Sequence, residues 1–435
     1  MRRHMRTGSR RRATTVVAGL AVFTLIVAAC GDDDASSSSA TTAASATPSA
    51  GATTTAAESE ASTATTEGGT DTTKGGTGTT SGGGATPTDC GTPDSIKLQL
   101  QWVAQAQFAG YYAAKDQGYF EDKCLDVTLI ENPPDVTPQV QLANGDVDFA
   151  IAWVPKALAT REAGANIVDI AQIFQRSGTL GVSFKPANIT KVPDYKGKNV
   201  GNWGFGNEYE IFAALKKESL DPTKDVSLVS QEFNMLGLLS GDIDVAEAMT
   251  YNEYAQVLEA ENPESGELYK PEDLNVISYE EEGVGMLQDA IWADGEKLAN
   301  DPDYEDIAVR FVAASLQGWI YCRENPEKCR DIVVAAGTQL GASHQLWQMN
   351  EVNKLIWPAA GGIGVIDQTA WKQTVDISLT TKNQTGDTVL KKAPEGLAYT
   401  NDYINQAITQ AKAAGVDVNG TSFQPQTVTL EAGGA

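Results

Sequence analysis

The segments "SIKLQLQWV" (95–103), "AGYYAAKDQGYF" (109–120) and "LDVTLIEN" (125–132) set the architecture of this chain. The first alternates apolar and polar side chains from Ile96 to Leu100, which predicts a strand. The second is typical of a helix, and the third predicts another strand. Strand, helix and strand in this order predict a right-handed crossover between two parallel strands.

The alternation of strands and helices continues along the chain. It restarts after residue 198, and the section 301–415 is mainly helical. Two α/β units in series predict an α/β protein of two lobes joined by a hinge, with mainly parallel sheets and a ligand site in the cleft between the lobes. The further predicted strands are 147–154, 167–175, 199–203, 226–231 and 244–250, and the further predicted helices are 135–146, 155–165, 207–220 and 235–243.

The composition narrows the classes of function. The chain has 435 residues, enough for two or three domains, and a formal net charge of −25. Nucleic acids and anionic membrane surfaces require a Lys/Arg patch, so we expect no nucleic-acid partner. The only two histidines, His4 and His344, limit histidine-based catalysis and zinc binding. We expect no catalytic residue, no metal and no cofactor, and we expect His344 to lie on the surface or to cap a helix.

The N-terminus has the layout of a secretory signal peptide over residues 1–29. A basic segment, "MRRHMRTGSRRR", precedes an apolar run of 16 residues, which is short for a membrane span. The run leads into "VAAC", which resembles a lipobox, so we expect Cys30 to become a lipidated N-terminus. The alternative is cleavage by an ordinary signal peptidase, because Val27 and Ala29 also suit that enzyme.

Residues 30–90 predict a disordered tether. Residues 31–89 contain no Leu, Ile, Val, Met or aromatic side chain, so they cannot bury enough apolar surface to offset the entropy lost on ordering. Together with Cys30, this segment predicts an extracytoplasmic protein that is lipid-anchored to the outer face of the cell membrane. At the other end of the chain, residues 416–435 predict a C-terminal tail.

Four cysteines remain after Cys30, and an even number in an exported chain suggests two disulfides with three possible pairings. We favour Cys322–Cys329, because the two residues flank the predicted turn in "YCRENPEKCR", which leaves Cys90–Cys124. A zinc site is the alternative, although this spacing without a nearby histidine is weak for zinc.

Four stretches carry a family resemblance: "LQLQWVAQAQFAGYYAAKDQGYFEDKCLDVTL" (98–129), "LANGDVDFAIAWV" (142–154), "VPDYKGKNVGNWGFGNEYE" (192–210) and "DIDVAEAMTYNEY" (242–254). They resemble the SsuA/THI5-like (NMT1) family of extracytoplasmic solute-binding proteins of ABC importers. The resemblance spans 94–400 and implies the bilobal periplasmic-binding-protein fold of type II, the Venus-flytrap fold.

The resemblance implies a first lobe of 94–185 plus 290–415 and a second lobe of 186–289. It also implies that a monomer captures a small molecule and delivers it to an ABC permease and its ATPase, touching the membrane only through its lipid. Three alternatives stay open. They are a sulfonate/nitrate-type binder of the same fold, a cell-surface ligand sensor, and a pyrimidine synthase like eukaryotic relatives, which use a histidine and a cysteine-rich segment.

Ligand choice depends on the motif after the first strand. Members that bind the thiamine pyrimidine resemble this chain in W-x-P-N-x-N-H-x-G, which here reads "WVAQAQFAG" (102–110). Gln105 and Gln107 stand where Asn is usual, and Phe108 replaces the histidine. "QWVAQAQFAGYY" and "GNEYE…MTYNEY" are more similar to members associated with riboflavin import. The resemblance therefore implies an aromatic nitrogen heterocycle, either riboflavin or a thiamine pyrimidine precursor.

Such a ligand needs aromatic faces and a few fixed amide or carboxylate partners. Several candidates lie at predicted strand ends, where ligand sites form in sheets of this kind. The candidate faces are Trp102, Phe108, Tyr111, Trp153, Trp203 and Tyr251, and the candidate hydrogen-bonding side chains are Gln105, Gln107, Asn207, Glu208, Asn252 and Glu253.

The glycine-rich stretch "GNWGFGNEYE" (201–210) precedes a predicted helix. It lacks the G-K-[S/T] of a phosphate loop and the third glycine of the dinucleotide fingerprint. Asn207 followed three residues later by Glu210 predicts a capping box at the start of the helix. Glu208 would then remain available to accept a hydrogen bond from a ligand N–H.

Overall fold

The computed structural model describes residues 90–132, 136–337 and 339–434. The predicted signal peptide, the lipidation site Cys30 and nearly all of the predicted tether lie outside the described residues and stay predictions. No helix within the described ranges has the length and apolar character needed to cross a membrane.

The strands follow the sequence periodicity closely. In the strand at residues 94–99 only alternate side chains are buried at its start, whereas the strands at 149–153 and 167–172 are buried throughout, because helices cover both faces of their sheet. The strands are β1 Asp94–Gln99, β2 Leu125–Ile130, β3 Phe149–Trp153, β4 Ile167–Gln172, β5 Thr179–Phe184, β6 Asn199–Asn202, β7 Ser227–Ser230, β8 Ala246–Met249, β9 Leu274–Ser278 and β10 Asp289–Asp294.

The helices separate these strands and then cover the first sheet. They are α1 Ala109–Asp116, α2 Pro138–Asn144, α3 Val154–Glu162, α4 Tyr209–Lys217, α5 Leu236–Ser240, α6 Glu253–Leu258, α7 Gly295–Asn300, α8 Pro302–Glu324, α9 Pro326–Ala336, α10 Ala342–Ile356, α11 Gln368–Thr380 and α12 Asp402–Ala413.

The strands form three sheets, with the orders β2-β1-β3-β10-β4, β8-β5-β9 and β6-β7. Strands β1, β2 and β3 run parallel, as do β6 and β7. Strand β10 is antiparallel to β3 and β4, and β5 is antiparallel to β8 and β9. The prediction of mainly parallel sheets is therefore wrong in detail, because the strands next to the two chain crossings run against their neighbours.

The fold is the bilobal α/β fold of periplasmic binding proteins. The five-stranded sheet belongs to one lobe, and the other two sheets belong to the second. The chain crosses between β4 and β5 and returns between β9 and β10. Strand β5, which the predicted boundary at residue 185 assigned to the first lobe, pairs with β8 and β9 in the second. The remaining lobe boundaries stay predictions.

Helices α1 and α8 meet through two glycines. A Cβ added at Gly318 would lie 1.9 Å from the carbonyl oxygen of Gly110, and a Cβ at Gly110 would lie 2.2 Å from the Trp319 ring. Neither position has room for a side chain, so the two backbones pack directly against each other. Helix α1 follows the turn that carries the predicted ligand motif, and this contact therefore fixes where that turn lies.

Disulfides join Cys90 to Cys124 and Cys322 to Cys329, the pairs favoured from the sequence. The first holds the chain before β1 against the start of β2. The second joins the end of α8 to α9. The first bridge thus encloses β1 and α1, and the second closes the short connection between two consecutive helices.

The C-terminal segment, residues 421–434, forms neither helix nor strand but packs on both lobes. The Gln426 N–H donates to Asn350 Oδ1 on α10 at 2.9 Å. Farther along, the Gly433 N–H donates to the Glu259 carbonyl at the end of α6 at 3.1 Å. The predicted tail is therefore bound along much of its length.

Candidate functional site

A cavity of about 700 Å³ lies between the two lobes. The first lobe contributes the turn after β1, the start of α3, and residues before and within α2. The second lobe contributes the turn between β6 and α4, Phe233, and the junction between β8 and α6. Strand ends from both lobes therefore meet at this cavity.

Aromatic side chains from both lobes form its walls. The Trp102 ring of the first lobe lies 4.9 Å from that of Phe233 in the second, centroid to centroid. Phe233 also stacks with Trp203, with centroids 6.0 Å apart and planes inclined by 27°. Elsewhere in the lining, Lys156 Nζ lies 4.8 Å from the centroid of Trp153. These faces suit a flat ring system.

The buried carboxylate of Asp289, at the start of β10, organises the first-lobe wall. It accepts hydrogen bonds from Gln107 Nε2 at 2.9 Å, from Trp153 Nε1 at 2.8 Å and from Gln101 Nε2. Burial raises the pKa of Asp289 to about 7, although these three donors and nearby Lys156 act in the opposite direction. Asp289 therefore fixes the orientation of three cavity-lining side chains.

The predicted ligand-reading amides bond to each other. Gln105 Nε2 donates to Gln107 Oε1 at 2.7 Å, and Gln348 Nε2 of α10 donates to Gln105 Oε1 at 3.2 Å. Helix α10 also accepts from the backbone of this turn, since Gln345 Oε1 and Gln348 Oε1 receive the N–H groups of residues 106 and 107. Gln105 and Gln107 thus build the wall through contacts that the sequence did not predict.

The glycine turn between β6 and α4 does not form the predicted capping box. Helix α4 starts at Tyr209, so Glu208 occupies the N-cap position, and no side chain caps it. Asn207 Nδ2 donates to the Gly204 carbonyl at 2.8 Å, and Glu210 is buried beside Ser177, whose hydroxyl donates to it at 2.8 Å. The left-handed residues 204–206 turn Asn207 toward the cavity and away from the helix N–H groups.

Lys156, which the sequence analysis missed, lies on the first turn of α3 and donates to Asn207 Oδ1 at 2.7 Å. Burial lowers the pKa of Lys156 to about 8, while Glu208, Glu247 and Asp289 oppose that shift. Among the described residues that line the cavity, it is the one lysine, and none is arginine. The described lining therefore combines one cation with two carboxylates, Glu208 and Glu253.

At the end of β8, Asn252 Nδ2 donates to Glu253 Oε1 at 2.8 Å, and Glu253 Oε2 accepts the Met249 N–H at 3.0 Å. Asn252 Oδ1 faces His344 Nε2 at 2.9 Å. His344 lies in the first turn of α10, and the expectation of a surface or capping residue is wrong. Its side chain is buried because α10 packs against α6.

All the predicted ligand residues line the cavity except Phe108 and Tyr111. Phe108 is 0% exposed and Tyr111 is 1% exposed, both within the core of the first lobe. The short 3-10 turn at 106–108 points Phe108 inward, and Tyr111 packs edge-on against Trp319, with ring centroids 5.6 Å apart. Those two predictions are corrected.

The structure adds cavity residues that sequence reasoning missed: Gln101, Asn132, Gln139, Lys156, Phe205, Tyr209 and Phe233. Gln101 and Lys156 lie next to predicted strand ends and could have been found there. Phe233 lies in a loop after a short strand, where no pattern marks it. Two buried polar atoms, Asn132 Oδ1 and Trp203 Nε1, have no partner within the described part of the chain.

The family model described as NMT1/THI5 like matches residues 105–329, slightly more than half of the chain. The chain belongs to the NMT1/THI5-like family. The match begins within the turn after β1 and includes both chain crossings and the second lobe, and so covers most of the cavity residues.

Three relatives of this NMT1/THI5-like chain have names that refer to a ligand or a pathway. A Haemophilus influenzae protein named for thiamine biosynthesis is 26% identical over 43% of this chain, which spans only 60% of that relative's length. The formylaminopyrimidine-binding protein of Halalkalibacterium halodurans is 22% identical over 55% of this chain and 70% of its own. The riboflavin-binding protein of Chloroflexus aurantiacus is 24% identical over 65% of this chain and 80% of its own length.

Other members are named as enzymes. A Saccharomyces cerevisiae 4-amino-5-hydroxymethyl-2-methylpyrimidine phosphate synthase is 26% identical over 35% of this chain and 45% of its own. Among solved structures, a periplasmic sulfonate-binding protein from Methylobacillus flagellatus KT superposes with a TM-score of 0.54 at 14% identity, covering 78% of this chain and 99% of the other. That similarity shows the fold.

Proposed function

We propose that this chain is the substrate-binding protein of an ABC importer and captures an aromatic nitrogen heterocycle between its lobes. The observation that carries the proposal is the cavity of about 700 Å³ with aromatic faces from both lobes. Pockets of this size with apolar walls and a few polar atoms are typical of small-molecule sites. The names of the pyrimidine-binding and riboflavin-binding relatives support the same class of ligand.

Riboflavin is the ligand that we favour, with a thiamine pyrimidine precursor as the second candidate. A fused ring system can use several aromatic faces at once, and Trp102, Trp203 and Phe233 surround one region of the cavity. Gln139 and Tyr251 also line the cavity and add polar groups at its wall. A single pyrimidine ring would leave more of the cavity unfilled.

A sulfonate or nitrate is a weaker candidate. Anions of this kind favour sites with arginine or several free donors. Here the described lining contains one lysine, which already donates to Asn207, together with Glu208 and Glu253. The carboxylates would repel an anion, whereas they can accept hydrogen bonds from the N–H groups of a neutral heterocycle.

We also propose a binding role and not an enzymatic one. His344 bonds to Glu259 and Asn252 and is not part of the cavity lining, and the four cysteines of residues 90–329 form disulfides. The enzyme alternative depends on the yeast synthases, which match a smaller share of this chain. A cell-surface sensor using the same cavity remains the alternative from another class of function.

Anchoring and partners complete the proposal. A lipid on Cys30 and the tether over residues 30–90 would keep a monomer near an ABC permease and its ATPase at the outer face of the membrane. Deletion of the gene should then abolish uptake of the ligand. A sensor would instead leave uptake intact.

The test is calorimetry and thermal unfolding of the purified chain with riboflavin, FMN, thiamine, its pyrimidine precursors and short sulfonates. Ligand at one hundred times its Kd should add about 2.7 kcal/mol to the free energy of unfolding. We expect riboflavin to bind, and FMN to bind more weakly because its phosphate meets the carboxylates. If none of the heterocycles stabilises the protein, the proposal fails. Stabilisation by a sulfonate alone would favour the other binder class.

A further inference from the structure

The His344 ring lies between two hydrogen-bond acceptors, one beside each ring nitrogen. Its Nδ1 faces the Glu259 carboxylate, at 2.9 Å and 3.1 Å from the two oxygens. Its Nε2 lies 2.9 Å from Asn252 Oδ1. The side chains of His344 and Glu259 are each 2% exposed, so little water can replace either contact.

The neighbours decide how Asn252 is oriented. Asn252 Nδ2 lies 2.8 Å from Glu253 Oε1, and Glu253 Oε2 accepts the Met249 N–H. Gln348 Nε2, a donor, lies 3.4 Å from Asn252 Oδ1, so the amide nitrogen of Asn252 points to Glu253 and its oxygen to His344. The oxygen only accepts, and His344 Nε2 must therefore carry a proton. Glu259 requires a proton on Nδ1 by the same reasoning.

We infer that His344 is a positioning residue, held as an imidazolium between Glu259 and Asn252, that fixes the orientation of the Asn252 amide in the cavity wall. The ligand part of this inference rests on the proposed function, whereas the protonation of the ring does not. The charged groups that face the ring are Glu259 at the end of α6 and, beyond Asn252, Glu253.

One face of α10 thereby supports the cavity walls of both lobes. His344 and Gln348 are one helical turn apart and share that face. Gln348 Nε2 contacts Gln105 Oε1 at 3.2 Å in the first lobe, and it also lies 3.4 Å from Asn252 Oδ1 in the second. The two residues therefore align amides on both sides of the cleft.

The direct test is nitrogen NMR of the full chain, ¹⁵N-labelled at histidine and carrying His4→Gln, so that only His344 contributes a signal. We expect both ring nitrogens to carry protons at pH 7, without any ligand. A neutral ring, with one protonated nitrogen, would overturn the inference. This result does not depend on which solute binds.

The role in the cavity is tested with riboflavin and a double-mutant cycle. His344→Gln should weaken riboflavin binding about tenfold, the effect of one hydrogen bond to a charged group. In an Asn252→Ala background the same change should cost less than about twofold, because His344 acts through Asn252. Equal losses in both backgrounds would show that His344 only holds the lobes together.

Trp347→Phe is the matched control. Trp347 Nε1 on α10 donates to the Thr250 carbonyl at 3.0 Å, so the change also removes a contact with the second lobe but leaves Asn252 untouched. The effect of Trp347→Phe on riboflavin binding should be the same with and without Asn252→Ala. If riboflavin does not bind the unaltered chain, riboflavin is the wrong choice among the proposed ligands, and the cycle is repeated on the free energy of unfolding. If the losses of unfolding free energy from His344→Gln and Asn252→Ala are additive, the inference is overturned.

Discussion

Lys156 on α3 and Asn207 at the start of the α4 turn are joined across the cleft by a 2.7 Å hydrogen bond from Nζ to Oδ1. The bond links two lobes that the chain connects only at its crossings. It forms inside the cavity, where burial makes the charged lysine costly. We therefore attribute its role to closure of the cleft and not to stability of either lobe.

The first prediction concerns this link. Lys156→Met should weaken riboflavin binding about tenfold, because it removes the charged hydrogen bond that joins the two lobes across the cavity. The free energy of unfolding should stay the same or rise, since methionine is buried without a desolvation cost. Calorimetry and thermal unfolding measure the two effects. Lys217→Met, at an exposed ion pair with Glu282, is the control and should leave binding unchanged.

The second prediction concerns pH. Burial raises the folded-state pKa of Asp289 from 3.8 to about 7 and that of Glu210 from 4.5 to about 7. The folded protein therefore holds more protons than the unfolded chain between about pH 4 and pH 7. Stability is highest at the acid end of that window and falls as the pH rises through 7, at up to about 1.4 kcal/mol per pH unit for each proton.

Asp289→Asn should reduce the slope of the unfolding free energy against pH by the contribution of one proton. Urea unfolding between pH 4.5 and pH 7.5 measures this slope. Asp126→Asn, on an exposed position of β2, is the matched control and should keep the full slope. An unchanged slope in Asp289→Asn would contradict the assignment. It would mean that Asp289 titrates alike in the folded and unfolded chain.

The third prediction concerns Glu208. Its Oε2 accepts the Gly206 N–H at 2.9 Å, and its other oxygen remains available toward the cavity. Glu208→Ala should weaken binding about tenfold, as for loss of a charged hydrogen bond, with little change in stability. Glu218→Ala, after α4 and away from the cavity, is the control. Normal riboflavin affinity of Glu208→Ala would remove Glu208 from the set of ligand contacts.

The fourth prediction concerns Phe205, whose ring is 87% exposed at the cavity rim and whose φ is +55°. The left-handed conformation costs a residue with a Cβ about 1–2 kcal/mol. Phe205→Gly should raise the free energy of unfolding by about 1 kcal/mol and weaken riboflavin binding, because an aromatic face is lost. Denaturant unfolding and calorimetry would show the two opposite changes. Unaltered affinity would mean that the exposed ring serves no ligand.

The sequence predicted much of the cavity because ligand sites collect at strand ends, a local signal. Trp102, Trp153 and Tyr251 follow β1, β3 and β8, and all three line the cavity. The Cys322–Cys329 disulfide also had a local basis, because the two residues flank a short turn, and Cys90–Cys124 was the pair that remained. These features depend on residues that are near each other in the chain.

What the sequence could not predict are the partners of the polar side chains. The Gln107 N–H donates to the Gln348 side chain, 241 residues away in the sequence, and His344 bonds to Glu259, 85 residues away. Which amide bonds to another amide and which faces a ligand depends on how α10 packs across both lobes. The relative direction of the strands next to the two crossings also depends on tertiary packing. The prediction of mainly parallel sheets was wrong at these strands.

The glycine contact between α1 and α8 restricts how this protein can be redesigned. Gly110 and Gly318 leave no space for even one methyl group, and α1 extends directly from the turn that holds Gln105 and Gln107. A methyl group at either glycine would push the two helices apart and so displace the turn that holds Gln105 and Gln107. A search for new ligand preferences should therefore vary the aromatic side chains at the mouth, such as Phe205 and Phe233, and leave this helix pair unaltered.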